Sequence, residues 1–105
     1  MQIKKSNNIE HTGQVVYISK LTKTSKGEPH LKLRLQVQHK YQNDYYIVTW
    51  QLRNKLARTN AQELAKGMNI LITGWMETVK NKDTGRDDIT LKADNVEILS
   101  KTQKE

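Results

Sequence analysis

Cationic and aromatic side chains are interleaved along most of this chain, and such a mixture suits a surface that holds a flexible polyanion. Cations neutralise backbone phosphates, and flat rings stack on unpaired bases, each stack contributing ~1 to 3 kcal/mol. The candidate ring platforms are Tyr41, Tyr45, Tyr46 and Trp50. The candidate phosphate contacts are Lys20, Lys23, Lys26, Lys32, Arg34, Lys40, Arg53, Lys80, Lys82 and Arg86. These residue types predict a surface that binds a single-stranded nucleic acid.

The overall charge favours the same class of partner. Eighteen Lys and Arg against eleven Asp and Glu give a net charge of +7 and an isoelectric point near 9.7. The excess lies mainly in residues 1–52, which carry eight basic and three acidic side chains, against ten and eight in residues 53–105. A basic excess of this kind favours a polyanionic partner.

The length and polarity predict one small domain spanning residues 1–105. The chain has 105 residues, of which 35% are hydrophobic and 28% charged, and its mean hydropathy is -0.81. A thin core and a very polar surface are therefore expected. The absence of Cys, of a long apolar run and of a signal-peptide pattern predicts an unexported, cytoplasmic protein.

Several kinds of site chemistry are missing from the sequence. No phosphate-binding glycine loop, nucleophile elbow or paired-carboxylate arrangement is present. The histidines His11, His30 and His39 lack metal-ligand spacing, and the acidic residues Asp83, Asp87 and Asp88 lack the ligand order of a calcium loop. We therefore expect no catalytic residue, no metal and no cofactor.

Alternating apolar residues predict the strands that must position the candidate residues. Leu31 to Val37 alternates apolar and polar side chains, which places one face of this strand in the core and leaves Lys32 and Arg34 on the other. Gly13 to Ser19 predicts a preceding strand, and Gly27 lies in the turn between the two. A third strand is expected from about Asp44 to Leu52, where Tyr46 and Trp50 share a face.

The pattern then changes to a helical period. Apolar residues from Leu56 to Ala65 mark a helix, Asn60 with Glu63 resembles a capping box, and Gly67 is a natural stop. Two more strands are predicted, Met68 to Met76 and Ile89 to about Leu99, joined by a turn at Lys80 to Arg86; residues 1–8 and 100–105 should fray. The order β-β-β-α-β-β is that of an all-β, five-stranded OB-fold barrel.

The chain resembles the bacterial and phage single-stranded DNA-binding protein family, which includes small members such as primosomal replication protein N. The resemblance is carried by Leu64 to Met76 (Leu-Ala-Lys-Gly-Met-Asn-Ile-Leu-Ile-Thr-Gly-Trp-Met), by the following hairpin with Asp83-Thr-Gly-Arg86, and by the aromatic strand Asp44 to Trp50. It implies an OB-fold that binds single-stranded DNA in replication or recombination. The frequent use of Lys, Asn and Ile also hints at an AT-rich genome, as in a mobile element or phage.

Two departures from the family pattern leave alternatives open. The family's acidic C-terminal tip, which recruits other proteins, has no counterpart in Ser100 to Glu105, and the hairpin lacks a stacking aromatic. An accessory subunit of a primase, polymerase or helicase complex is one alternative, and an RNA-binding OB domain is another. Partner contacts should then come from the barrel itself, with Leu71 and Trp75 as the candidate residues, and a homo-oligomer is possible. Trp75 is also a candidate ring platform.

Overall fold

The structure, a computed structural model, describes residues 4–5 and 8–100 of the chain. This part of the chain forms seven strands and one helix. Their bounds are β1 Lys4–Lys5, β2 Ile9–Ile18, β3 Thr22–Lys23, β4 Pro29–Gln38, β5 Tyr45–Arg53, α1 Asn54–Glu63, β6 Asn69–Lys80 and β7 Asp87–Ser100.

The five long strands close into a barrel. Strand β2 pairs antiparallel with both β4 and β6, and β4 pairs antiparallel with β5. The circle closes because β5 pairs in parallel with β7, and β7 pairs antiparallel with β6. The helix lies between the third and fourth barrel strands in the chain. This closed five-stranded arrangement confirms the predicted OB-fold.

The strand directions give the barrel two distinct ends. At the hairpin end, the loop 39–44 joins β4 to β5 and the turn 81–86 joins β6 to β7. At the helix end, the connection 19–28 joins β2 to β4, and α1 follows the last residue of β5. The two pairs of connections therefore lie at opposite ends of the strands.

The core follows the predicted alternation. Leu31, Leu33, Leu35 and Val37 are all buried inside the barrel, so the intervening side chains of β4 point outward. Each fully buried Leu of this kind contributes ~1.5 to 3 kcal/mol. Helix α1 packs against β4 and β5 and buries Ala57 there.

The helix does not begin at the predicted capping box. It starts at Asn54, whose φ of 57° makes a sharp turn out of β5, and the preceding Arg53 makes no side-chain cap. Asn60 is instead buried inside the helix, where its Nδ2 donates 2.8 Å to the carbonyl oxygen of Leu56. The predicted box is wrong because its Asn satisfies a carbonyl of the preceding turn. Gly67 lies in the turn beyond the helix, with φ of 96°.

Other element bounds also differ from the prediction. Strand β2 starts at Ile9, four residues early, and β3 is a short strand inside the predicted loop. Lys4 and Lys5, in the segment expected to fray, pair with Thr78 and Glu77 of β6, respectively. Ser100 belongs to β7, and Asn8 lies just before β2. The other residues expected to fray, 1–3, 6–7 and 101–105, lie outside the described residues.

Candidate nucleic-acid interface

The outer surface of β2, β4 and β5, here called the outer face, carries the most promising combination of side chains. Lys32 and Arg34 point outward from β4, as predicted, because their neighbours along the strand fill the core. The register places Gln51 and Thr49 of β5 opposite these two cations. Neither β4 nor β5 contains an Asp or Glu. The outer face is therefore basic along its centre.

Tyr17 is an exposed ring on this face that the sequence analysis missed. The guanidinium carbon of Arg34 lies 4.9 Å from the centre of the Tyr17 ring, and the ring is 41% exposed. A β-bulge explains the omission. Val15 pairs with Leu35 and points inward, but the register shifts between Val15 and Tyr17, so that Tyr17 pairs with Arg34 and points outward.

Two further exposed side chains of β5 extend the outer face towards the hairpin end. Tyr45, a predicted platform, is 58% exposed and pairs with Gln38. Ile47 is also exposed and pairs with Gln36. Ile47 lies outside the predicted nucleic-acid contacts, which were all aromatic rings and cations. An aliphatic side chain of this kind can pack on the face of a base.

Trp50 does not lie on the outer face, which corrects its predicted stacking role. Its side chain is 0% exposed, because it points into the barrel between Leu33 of β4 and Leu91 of β7. Its Nε1–H donates 3.1 Å to Nδ1 of His11. Trp50 is a core residue with a polar partner, and the folded protein offers no face of it to a base.

Tyr46 shares the inward side of β5 with Trp50, as the spacing predicted, but it lies nearer the hairpin end and stays partly exposed. Its ring packs edge-on against His39, at 5.1 Å between ring centres, and against His11, at 6.3 Å. Burial lowers the pKa of His11 from its ordinary value. These three rings form an aromatic cluster at the hairpin end of the barrel.

The predicted loop cations divide between the two ends. At the helix end, Lys20, Lys23 and Lys26 lie on the connection 19–28, which folds back along β4 through β3. Lys26 and Arg53 line one shallow cavity of about 210 Å³, so the connection and the end of β5 present their charges together. Glu28 lines the same cavity and offsets part of that charge.

At the hairpin end, Lys40 lies with its ammonium nitrogen 5.6 Å from the ring centre of Tyr41. The exposed cations Lys80, Lys82 and Arg86 surround the turn of the β6–β7 hairpin. Asn81 orders this turn by accepting from the backbone N–H groups of Asp83 and Thr84. Nearby carboxylates, among them Asp88 hydrogen-bonded to Asn81, reduce the local positive charge.

The two candidate partner-binding residues both lie on the outer side of β6. Leu71 and Trp75 are half-buried, and Thr73 lies between them with its hydroxyl 3.0 Å from an Asp94 carboxylate oxygen. The indole Nε1–H of Trp75 donates 2.7 Å to Glu77. A polar pair therefore separates the two apolar side chains, and a partner surface there stays a prediction.

A buried lysine lies next to Trp75. Lys92 is 9% exposed, and its Nζ lies 3.9 Å from Glu77 Oε1. Burial and the nearby Arg53 guanidinium lower the pKa of Lys92, and Glu77 opposes them. These residues line a cavity of about 300 Å³ together with Gln51, so the cationic character of the outer face continues around the barrel.

The described residues bring together no group of three His, Asp or Glu side chains that could hold a metal ion. Within residues 4–5 and 8–100, no helix is both long and apolar enough to cross a membrane. A comparison of the sequence with protein-family models finds no match, and a comparison with curated proteins finds none either. The resemblance to single-stranded DNA-binding proteins therefore stays a prediction.

Proposed function

We propose that this OB-fold protein binds single-stranded DNA along the outer face of β2, β4 and β5. In this proposal Lys32 and Arg34 contact phosphates, while Tyr17 and Tyr45 provide rings on which unpaired bases stack. Loop cations at the two ends of the barrel guide the strand onto and off the face. The protein has no catalytic role in this proposal and acts as a binding module.

One observation carries the proposal. An exposed ring and an outward cation lie side by side on the outer face, as the 4.9 Å contact between Tyr17 of β2 and Arg34 of β4 shows, and the central strands β4 and β5 contain no carboxylate. Stabilising the barrel does not require such a surface, because the opposite faces of the same strands already fill the core. Phosphate neutralisation and base stacking are the chemistry that this combination supports. OB-folds generally bind oligonucleotides on the corresponding strands.

The polymer is proposed to be single-stranded because base stacking on protein rings requires unpaired bases. The choice of DNA over RNA, and a role in replication or recombination, rest on the resemblance described above. The accessory-subunit hypothesis shares this interface and differs in requiring a protein partner as well.

The test is to titrate the protein into a labelled oligonucleotide of about 16 nucleotides, the upper range for one OB-fold. Fluorescence anisotropy measures the binding at several salt concentrations. We expect log K to fall linearly with log salt, with a slope of about -0.7 for each phosphate contacted. A duplex and an RNA of the same sequence should bind more weakly. A flat salt dependence, or equal affinity for the duplex, would refute the proposal.

A matched pair of variants locates the interface. Arg34→Gln should weaken binding and make the salt slope shallower by about 0.7, the value for one lost phosphate contact. Arg58→Gln removes the same charge from an exposed position on α1 and should change both quantities much less. If the two variants behave alike, net charge rather than the outer face determines binding.

A further inference from the structure

An uncharged concavity lies on the outer face beside Tyr45. It has a volume of about 330 Å³ and is formed where β2, β4 and the start of β6 meet. Its lining side chains include Thr12, Gln14, Gln36, Gln38, Asn69 and Tyr45. None of these is charged, although 28% of the whole chain is. Phosphate attraction therefore does not explain the composition of this concavity.

Three of its amides form one row across neighbouring strands. Gln14 pairs with Asn69 of β6 on one side and with Gln36 of β4 on the other. Tyr45 pairs with Gln38, which places an exposed ring at the edge of the same concavity. A flat ring thus lies beside several groups that can both donate and accept hydrogen bonds.

Most of this hydrogen-bonding capacity is available to a ligand. The Nε2 of Gln14 donates 3.3 Å to the carbonyl oxygen of Gly67. Within the part of the chain that the structure describes, the side-chain amides of Gln36, Gln38 and Asn69 make no hydrogen bond to protein. Each such amide has one acceptor oxygen and two N–H donors. The concavity therefore offers adjacent donors and acceptors without charge.

We infer that this concavity is a base-recognition subsite that binds one unpaired adenine, with the base stacked on Tyr45 and its edge hydrogen-bonded to the amides of Gln36 and Gln38. This inference rests on the proposed binding of single-stranded DNA. Adenine fits two carboxamides because its N6 amino group has an acceptor on each side, N1 and N7, so that each amide can pair with one N6–H donor and the adjacent acceptor. The cations Lys32 and Arg34 lie further along β4 and hold the backbone whatever its sequence.

This division of roles separates two measurable quantities. Phosphate contacts set the salt slope and weaken or strengthen all sequences alike, whereas base contacts set the preference among bases. Variants of the amides should therefore change base preference without changing the salt slope. Variants of the outward cations should do the reverse.

The experiment compares an all-thymidine oligonucleotide with oligonucleotides of the same length carrying one central adenine, cytosine or guanine. Wild-type protein should bind the adenine-containing strand most tightly, by about 5- to 100-fold over all-thymidine, as expected for one bidentate pair. The double variant Gln36→Met with Gln38→Met keeps side-chain length but removes both amides. It should lose this preference while keeping its affinity for all-thymidine and its salt slope.

Two controls make the outcomes distinct. Gln62→Met makes the same change at an exposed position on α1 and should leave the adenine preference intact. Arg34→Gln should weaken the binding of the adenine-containing and the all-thymidine strand equally. If wild-type protein binds all four strands alike, or if the double variant keeps the adenine preference, the subsite is refuted while single-strand binding stands. If no oligonucleotide binds, the proposed function fails and the subsite fails with it.

Discussion

The indole Nε1–H of Trp50 donates a hydrogen bond of 3.1 Å to Nδ1 of His11 across the inside of the barrel. The Nδ1 atom must be unprotonated to accept this bond, so the neutral ring carries its proton on Nε2. The two rings also pack edge-to-face, with 5.7 Å between their centres. The buried indole N–H of Trp50 and the Nδ1 acceptor of the half-buried His11 thus provide each other's hydrogen-bond partner.

This relationship predicts a pH-dependent stability. Burial lowers the pKa of His11 in the folded protein, whereas the unfolded chain titrates near the ordinary value of about 6.5. Between these two values the unfolded state binds more protons, so the free energy of unfolding falls as the pH drops below about 6.5 and levels off below the folded-state pKa. Urea unfolding at a series of pH values would measure this fall.

The His11→Gln variant is the matched test, because its amide oxygen can still accept from Trp50 but does not titrate. It should show a smaller loss of stability between neutral and mildly acidic pH than wild type. His39→Gln, at an exposed position in the loop 39–44, should retain the wild-type loss. An unchanged pH profile in His11→Gln would show that other groups cause the dependence.

Replacing Trp50 should affect folding rather than DNA binding. Trp50→Ala leaves a large cavity and should cost ~3 to 5 kcal/mol of stability. Trp50→Phe keeps most of the packing and should fold, with the nucleic-acid affinity of wild type. Affinity should be measured on protein shown to be folded by circular dichroism. A folded Trp50→Phe protein with greatly reduced affinity would restore a binding role for this residue.

The case of Trp50 illustrates how far periodicity predicts a strand. The four-residue spacing correctly places Tyr46 and Trp50 on one face of β5, but the opposite face also carries large side chains, Tyr45 and Ile47. Alternation alone therefore gives no reason to choose which face is inside. The choice is made by pairing, since Trp50 lies between Leu33 and Leu91 on neighbouring strands.

The outward cations of β4 could be predicted because apolar and polar residues alternate along this strand without interruption. The order of the elements could be predicted because the apolar period changes from that of a strand to that of a helix after β5. Tyr17 could not, because the bulge in β2 adds one residue and reverses the alternation after Val15. The amide concavity was also missed. Its residues come from β2, β4, β5 and β6, and no spacing along the chain brings Gln14, Gln36 and Asn69 into one row.

Tyr45 should contribute a stacking contact that depends on its ring and not on its hydroxyl. Tyr45→Ala should weaken single-stranded DNA binding by ~1 to 3 kcal/mol, and Tyr45→Phe should bind nearly as wild type does. Because the side chain is 58% exposed, neither change should alter stability by more than about 0.5 kcal/mol. Anisotropy titrations with thermal unfolding would check both. Equal weakening by Phe and Ala would instead implicate the hydroxyl.

Glu77 should stabilise the protein because it is a partner to two groups at once. It accepts from Trp75 and lies 3.9 Å from the nearly buried ammonium of Lys92. Glu77→Gln leaves that charge without a counter-ion and should cost about 1 to 3 kcal/mol.

Glu77→Gln combined with Lys92→Met removes both charges of the pair and should be neutral or stabilising relative to wild type. The exposed Glu63→Gln serves as control and should change stability by less than about 0.5 kcal/mol. Chemical unfolding of the three variants would give the comparison. A stable Glu77→Gln protein would mean that solvent satisfies Lys92.

Gly74 should be the glycine on which barrel closure depends most. It pairs with Ala93 where β6 meets β7, next to a register shift between Thr73 and Gly74. A Cβ at this position would overlap the carbonyl oxygen of Lys92 and lie 2.9 Å from the Cα of Ala93. Backbone atoms cannot rotate aside as a side chain would, so an alanine must push β7 away from β6 and open the barrel.

We therefore expect Gly74→Ala to lower the free energy of unfolding by more than about 3 kcal/mol, the upper end of ordinary overpacking. Gly27→Ala is the matched control, because Gly27 has φ of +84° but no atom within 4 Å of an added Cβ. It should cost only ~1 to 2 kcal/mol, the strain of a left-handed alanine. Urea unfolding followed by tryptophan fluorescence would rank the two. A Gly74→Ala protein as stable as Gly27→Ala would show that β7 can shift without opening the barrel.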